Sequence, residues 1–303
     1  MSKFAGASTQ AASVIKCLQG KGNILQSVGT ARNYEASLKI AAKWAKENGI
    51  QGGLRGMGVK AAMRFLKERS EVVGQKTLDQ NRQALQCMMQ HVTHKLNEGE
   101  RLEIVKGISQ ELTSRVYTPE QVKAIADHQL PKHALATEIA YAAGLRASEL
   151  LTLRPIEERV PDVRLRDGRD RTLETKFHGR SENFTAFTVH GKGGLIREVR
   201  LPPELSQRLE TFRLEKPEII RDRGINREVH YAIGGGHAWS IAFSRTSEKL
   251  FGWSHGAHGL RHSYAQERMQ ELRRLGTPES VAKETVSQEV GHFRPDITDT
   301  YLR

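Results

Sequence analysis

The residues best suited to chemistry in this chain are cations and imidazoles of the kind that bind phosphate. His258 and Arg261 stand three apart in His258-Gly259-Leu260-Arg261-His262, which on a helix turns both side chains to one face. A ring and a guanidinium fork placed there could meet one phosphate, since arginine offers a planar, bidentate donor array. Arg146 follows a glycine-leucine pair at the mouth of a predicted helix, Gly291-His292 adds another donor, and Tyr301 lies nine positions further on. Taken singly, each has an ordinary explanation: Arg146 pairs with Glu149, His258 caps a helix, and Tyr301 is a terminal aromatic.

Other chemistries fit poorly. Gly234-Gly235-Gly236 and Gly191-Lys192-Gly193-Gly194 lack the Lys-Ser/Thr ending of a nucleotide phosphate loop. His258 and His262 are four apart as in a zinc helix, but Gly259 stands where the glutamate base of such a site belongs. No acidic cluster resembles a two-metal nuclease. The expectation is therefore a site without metal or other cofactor.

The elements that must position these residues can be read from periodicity and punctuation. Thr118-Pro119-Glu120-Gln121 is a capping box that starts a helix with Val122, Ile125 and Ala126 inside. A second helix covers 134–143, and Gly144-Leu145-Arg146 leads into a short helical run over 147–151. Residues 184–190 and 195–201 read as two strands around the glycine-rich turn, a β-hairpin with Lys192 near its tip. Helical patterns follow over 205–212 and from 238 onward. Residues 160–180 are charged and turn-rich, with Arg164, Arg166, Arg169 and Arg171 as candidates for contact with a polyanionic backbone.

Upstream, Tyr34, Leu38, Ala41 and Ala45 mark the inner face of a helix whose Arg32, Lys39, Lys43 and Lys46 point elsewhere. Val59, Met63 and Leu66 suggest a second helix, and Leu78, Leu85, Met88, Val92 and Leu96 a third, with Met88-Met89 as core filling. Three segments are expected: a flexible arm over 1–26, a small basic helical domain over 27–112, and a second domain over 113–303.

With 47 Lys+Arg against 35 Asp+Glu, the net charge is +12, and 17 of the basic residues but only 9 of the acidic ones fall in residues 1–113. Such an excess points to a polyanion partner, nucleic acid first, because cations that neutralise phosphates release condensed counterions. At 38% hydrophobic and 27% charged, the composition excludes disordered and fibrous classes. Neither a membrane span nor an apolar leader is apparent, so a cytoplasmic protein is expected, with Cys17 and Cys87 reduced.

The ordered set Arg146, Lys192, His258-x-x-Arg261, Gly291-His292 and Tyr301 resembles the catalytic set of the tyrosine recombinases, the phage-type integrase family. The strings Gly144-Leu145-Arg146-Ala147-Ser148-Glu149-Leu150 and His258-Gly259-Leu260-Arg261-His262-Ser263-Tyr264-Ala265, with Val290-Gly291-His292 ahead of Thr298 and Tyr301, carry the likeness. It covers nearly the whole of 115–303, and the helical, basic region 27–110 looks like the family's core-binding domain.

The resemblance implies a mainly α protein with a small β-hairpin or sheet: a helical, SAM-like core-binding domain joined to a tyrosine-recombinase catalytic domain. It makes Tyr301 the nucleophile that leaves a 3′-phosphotyrosyl link and a free 5′-hydroxyl. Arg146, Arg261, His258 and His292 would stabilise the transition state, Lys192 would protonate the departing oxygen, and His258 would handle the tyrosine proton. Tyrosine ordinarily ionises near pH ~10, so a base or a strong positive field must assist. Glu149 and His262 would orient these groups, although helix packing serves equally well for either.

The implied partners are double-stranded DNA, further copies of the chain in a tetramer at synapsis, and accessory proteins, with no membrane and a nucleoid-associated location. Integration or excision of a mobile element is the expected use. Alternatives are a topoisomerase- or resolvase-like use of the same chemistry, and a catalytically silent DNA-binding accessory protein. Two departures stand out. Many relatives carry a further segment after the tyrosine, whereas Leu302 and Arg303 alone follow Tyr301 here, and no separate arm-binding domain is evident before residue 27.

Overall fold

The structure, a computed structural model, describes residues 5–20, 23–110, 113–163, 165–166, 169–170, 172–180, 182–293 and 295–302. Residues 1–111 and 112–303 form two compact units.

The first unit is helical: α1 (Ala7–Gly20), α2 (Val28–Glu47), α3 (Gly53–Gly56), α4 (Val59–Ser70) and α5 (Gln75–His91). In α2 the Ser27 hydroxyl caps the first turn, Leu38, Ala41, Trp44 and Ala45 enter the core, and Tyr34 packs at its edge. Arg32, Lys39, Lys43 and Lys46 are all exposed and, at spacings of seven, four and three, share one side of the helix. Trp44 meets Phe65 edge-on at 5.6 Å, and its indole N–H donates to Glu68. Met88 and Met89 are fully buried, as core filling requires.

Two expectations need correction here. The N-terminal arm is instead helix α1, because Ala11, Val14, Ile15 and Leu18 recur at helical spacing and bury against its neighbours; the small polar residues between them hide that stripe. Gly20 ends this helix, and Gln10 Oε1 accepts from Leu54 N at 2.8 Å, tying α1 to α3. In α4 Leu66 is buried and Met63 packs against the core as expected, with Ala62 and Phe65 beside them, but Val59 at the first turn is exposed.

In the second unit the Thr118 capping box is formed, with Gln121 N donating to Thr118 Oγ1 and Thr118 N to Gln121 Oε1, and it opens α6 (Pro119–Asp127). Helix α7 (Pro131–Ala143) threads the core through Leu135, Ala136, Ile139 and Ala140. It stops at Gly144, whose φ of +59° suits glycine and whose bare Cα lets the Tyr264 ring approach. The short α8 (Ala147–Leu150) follows, then strand β1 (Arg154–Pro155) and the two-residue ribbon strands β2 (Leu165–Arg166) and β3 (Arg169–Asp170).

The expected hairpin is β4 (Thr185–His190) and β5 (Ile196–Leu201), antiparallel from Thr185↔Leu201 to His190↔Ile196, with β1 on the other side of β4. Its turn, Lys192–Gly194, is a short 3₁₀ element. Helix α9 (Pro203–Glu210) leads to a second hairpin, β6 (Arg213–Asp222) and β7 (Ile225–Tyr231), which the sequence reading leaves unassigned. Nearly every β6 side chain is exposed and Pro217 interrupts the strand, so no alternating pattern announces it. Helices α10 (Gly236–Phe251), α11 (Gly259–Arg274), α12 (Glu279–Glu289) and α13 (Pro295–Thr298) complete the unit.

Beyond the β2–β3 ribbon, the turn-rich segment lies over α11 and α12. Leu173 N donates to Gln288 Oε1, Phe177 N to Glu289 Oε1, Arg268 Nη2 to the His178 carbonyl, and Arg180 to Glu271. Of the arginines expected to touch DNA there, Arg166 and Arg169 fall in β2 and β3, whereas Arg164 and Arg171 lie outside the described residues. No helix among the described residues is long and apolar enough to cross a membrane.

Candidate active site

The site is built around one buried carboxylate. Arg146 occupies the N-cap of α8 and Glu149 its third position, so the carboxylate folds back to accept from Arg146 N (2.8 Å) and from Arg146 Nη1 (2.7 Å). Arg197, from β5, donates through Nη2 at 2.7 Å, and Arg261 Nη1 lies 3.7 Å away. Burial raises the pKa of Glu149, but the guanidinium groups of Arg197, Arg261 and Arg146 outweigh it and hold the pKa at about 2. Glu149 is thus an anion that gathers three cations.

Arg261 is completely buried near the start of α11. Its Nη1 donates to the Gly144 carbonyl at 2.6 Å, its Nη2 to the Val290 carbonyl, and its Nε to Tyr301 Oη at 3.3 Å. Burial, then the nearby Arg146 charge, lowers its pKa to about 10, which still leaves a cation at neutral pH. The guanidinium has no freedom to turn, and that fixes the tyrosine hydroxyl.

Three histidines complete the surroundings of Tyr301. His292 Nε2 lies 3.3 Å from the hydroxyl and 3.0 Å from Arg146 Nη2. Arginine has only donors, so Nε2 accepts and the ring proton sits on Nδ1. The His262 ring meets the tyrosine ring edge-on at 4.9 Å, and His258 lies 5.8 Å from it, centroid to centroid. Desolvation, followed by the charges of Arg261 and Arg146, lowers the His292 pKa to about 4. Desolvation also comes first for His258 and His262, followed by Arg261 for the former and Arg115 for the latter, and each again falls to about 4. More than a third of His258 faces solvent, so the neighbouring cations are the firmer reason for its shift. All three rings are neutral at pH 7.

Of the sequence-predicted residues, Arg146, His258, Arg261, His292 and Tyr301 are brought together, and Glu149 and His262 touch them. The imidazole nitrogen within hydrogen-bond reach of the tyrosine hydroxyl belongs to His292, whereas His258, expected to handle the proton, approaches ring to ring. Lys192 stands exposed on the 3₁₀ turn, and no hydrogen bond or ion pair among the described residues joins it to the others. Arg32, Lys39, Lys43 and Lys46 belong to the other unit.

Two residues went unnoticed in the sequence. Arg197 shares the inward register of β5 with Val199 and Leu201, and an arginine at a buried position of an alternating strand was the available signal. Its Nη1 donates to the Glu289 carbonyl at 2.6 Å, and a Cβ on Gly291 would stand 2.8 Å from its side chain, so Gly291 leaves its path open. Glu289 itself receives Arg268, Tyr264 and the Phe177 amide. Nothing local marks it, since these partners come from two other segments, α11 and the turn-rich 172–180 stretch.

No protein-family model and no curated protein matches this sequence. Solved structures do match in fold. The XerH site-specific recombinase, in a post-cleavage complex with palindromic difH substrate, superposes with a TM-score of 0.58 at 16% identity, covering 98% of this chain and 81% of that one. A lambda integrase (75–356) dimer bound to a core site gives 0.58 at 15% identity over 97% and 94%. The Tn1549 transposon integrase (82–397), bound to circular-intermediate DNA, gives 0.53 at 15% over 98% and 94%. Mainly helical, with small antiparallel sheets and the site at the junction of α8, β5, α11 and α12, the chain has the fold of the tyrosine recombinases.

Proposed function

We propose that this protein is a site-specific DNA recombinase that cleaves and rejoins strands through Tyr301. One observation carries the reading: a tyrosine hydroxyl held between Arg261 Nε and His292 Nε2, both at 3.3 Å, beside the Glu149-anchored arginines. Tyr301 Oη attacks a backbone phosphorus, the phosphorus–5′-oxygen bond breaks, and a 3′-phosphotyrosyl ester and a 5′-hydroxyl remain. Arg146, Arg261, His258 and His292 stabilise the charge that gathers on the non-bridging oxygens.

In the free protein Arg146 and Tyr301 compete for one lone pair on His292 Nε2. A phosphate that draws Arg146 to itself frees that lone pair to take the tyrosine proton. Glu149 holds Arg146 for this exchange, and His262 sets the tilt of the tyrosine ring. The ester conserves the phosphodiester bond energy, so a 5′-hydroxyl from a second duplex reverses the step without ATP. That reversal is strand exchange, performed by copies of the chain assembled on two DNA sites, to integrate or excise a mobile element.

The deciding experiment is covalent trapping. Incubated in EDTA with a pool of nicked duplexes, the protein is expected to yield a denaturation-resistant protein–DNA adduct. Tight binding with no adduct would instead favour an accessory DNA-binding role.

Lys192 is assigned the proton that the 5′-oxygen needs. Lys192→Ala is expected to slow cleavage of an ordinary phosphodiester by about 10²–10⁴-fold. A substrate with sulfur at the bridging 5′ position, whose leaving group departs without protonation, should be cleaved normally by the same variant. Equal losses on both substrates would remove Lys192 from that role.

The basic side of α2 is assigned to the DNA backbone. Neutralising Arg32, Lys39, Lys43 and Lys46 should make the salt dependence of binding shallower, by about 0.9 in log–log slope for each phosphate left without its cation, and leave sequence preference unchanged. An unaltered slope rejects the assignment.

A further inference from the structure

Hairpin β6–β7 projects Ile219, Ile220 and Ile225 into solvent, yet its tip is anchored. Asp222 pairs with Ile225, leaving Arg223-Gly224 as a two-residue turn with φ values of +48° and +81°. Two successive positive φ values mark a type I′ turn, for which Asn-Gly is the favoured sequence; arginine in the first place is sterically costly. The hairpin does not need that strain, and the arginine is directed by it. Arg223 Nη2 donates to His237 Nδ1 at 2.6 Å, and Asp222 Oδ1 accepts from the His237 backbone N–H at 2.9 Å, at the start of α10.

These contacts close one end of a cavity of about 220 Å³ whose other end is the reaction site: Arg146, Ser148, Arg223, His237, Ser240 and His258 supply its polar lining, with Asp222. Arg223 has no carboxylate partner among the described ion pairs. Asp222 is the one acid among the lining residues, and its Oδ1 is already engaged by the α10 backbone. Because Nδ1 of His237 accepts from Arg223, its Nε2 carries the proton and is a donor. Two guanidinium groups, two imidazoles and two hydroxyls around one cavity suit an anion with several acceptor oxygens.

We propose that Arg223, with His237 and Ser240, holds the DNA backbone phosphate adjacent to the one that Tyr301 attacks. The proposal rests on the recombinase reading, because a cavity that shares Arg146 and His258 with the scissile phosphate is filled by the next phosphate of the same strand. The strained turn points the Arg223 side chain towards that second phosphate.

The test uses the full chain carrying Tyr301→Phe, so that no covalent step contributes, with and without Arg223→Asn. Binding to a mixed-sequence duplex is measured between 50 and 200 mM salt. Arg223→Asn should lower affinity about tenfold and make the log–log salt slope shallower by about 0.9. The same change should leave the melting temperature unchanged or raised, since Asn-Gly relieves the turn, and a merely structural arginine would not behave so. Arg223→Gly, which accepts the same backbone, serves as the second variant. An unchanged slope in both variants overturns the proposal whatever their stabilities. Adduct formation by the wild-type chain is read separately: a shallower slope with no adduct keeps the phosphate seat and removes the recombinase reading, whereas an adduct with unchanged slopes does the reverse.

Discussion

Tyr301→Phe is expected to abolish the covalent protein–DNA adduct, by about 10³-fold or more, while equilibrium DNA affinity stays within about twofold. The substitution removes one oxygen and leaves the ring in place. That ring is held by His262, by His258 and by the Arg261 guanidinium lying 5.6 Å from its centroid, none of which depends on the hydroxyl. Arg261 keeps its bonds to the Gly144 and Val290 carbonyls, so the cationic site survives. The stability cost should be about 1 kcal/mol, the ordinary value for a lost hydrogen bond. Gel-resolved adduct yield and a fluorescence binding isotherm on the same duplex separate the two effects. Equal loss of adduct and affinity would show that Tyr301 matters for docking rather than for attack.

Glu149→Ala should be strongly destabilising. It strands the charges of Arg146, Arg197 and Arg261 around one vacated position, and breaking a buried ion pair from one side costs about 3–5 kcal/mol. For a unit of this size that corresponds to a melting temperature lower by about 10 °C. Adduct formation should fall as well, because Arg146 and Arg261 lose the anion that aims them. Glu149→Gln retains the volume and one acceptor and should be milder in both measurements. A Glu149→Ala variant as stable as the wild type would show that the arginines find other partners.

The same network makes stability depend on pH in two windows. Glu149 has its folded pKa depressed to about 2, so its contribution is complete above the unfolded carboxylate value and is lost as pH falls towards 2. His258, His262 and His292 are held near 4 in the folded state, so between about pH 6.5 and 4 the unfolded chain binds protons that the native chain refuses. Melting temperature should therefore decline as pH falls through the histidine window, and again in the more acidic one. Glu149→Gln should shrink the second decline, to which Glu271 with its Arg180 and Arg268 partners also contributes, and leave the first. A melting temperature that is flat from pH 7 to 4 would contradict the neutral histidines.

Much of the local structure was legible in the residues. The Thr118-Pro119-Glu120-Gln121 box, the α2 stripe of Leu38, Ala41 and Ala45, and the strand–glycine–strand run through Lys192 all depend on neighbours within a few positions. The residue types and order of Arg146, His258, Arg261, His292 and Tyr301 were legible too, as a resemblance. Less so was α1, whose small polar residues outweigh its buried stripe in composition, and hairpin β6–β7, which buries too little to leave an alternating pattern.

What only the tertiary structure decided is who meets whom. The Glu149 carboxylate joins Arg146 three positions away, Arg197 forty-eight positions away and Arg261 beyond that, and Arg197 in turn reaches the Glu289 carbonyl. His292, rather than His258, received the tyrosine hydroxyl because Gly291 and the α12 terminus carry its ring there. Spacing along a chain specifies helices, strands and caps, since those bonds close over three or four residues. Burial and charge pairing act across segments, and an arginine or glutamate acquires its direction and its protonation only when folding removes the water around it.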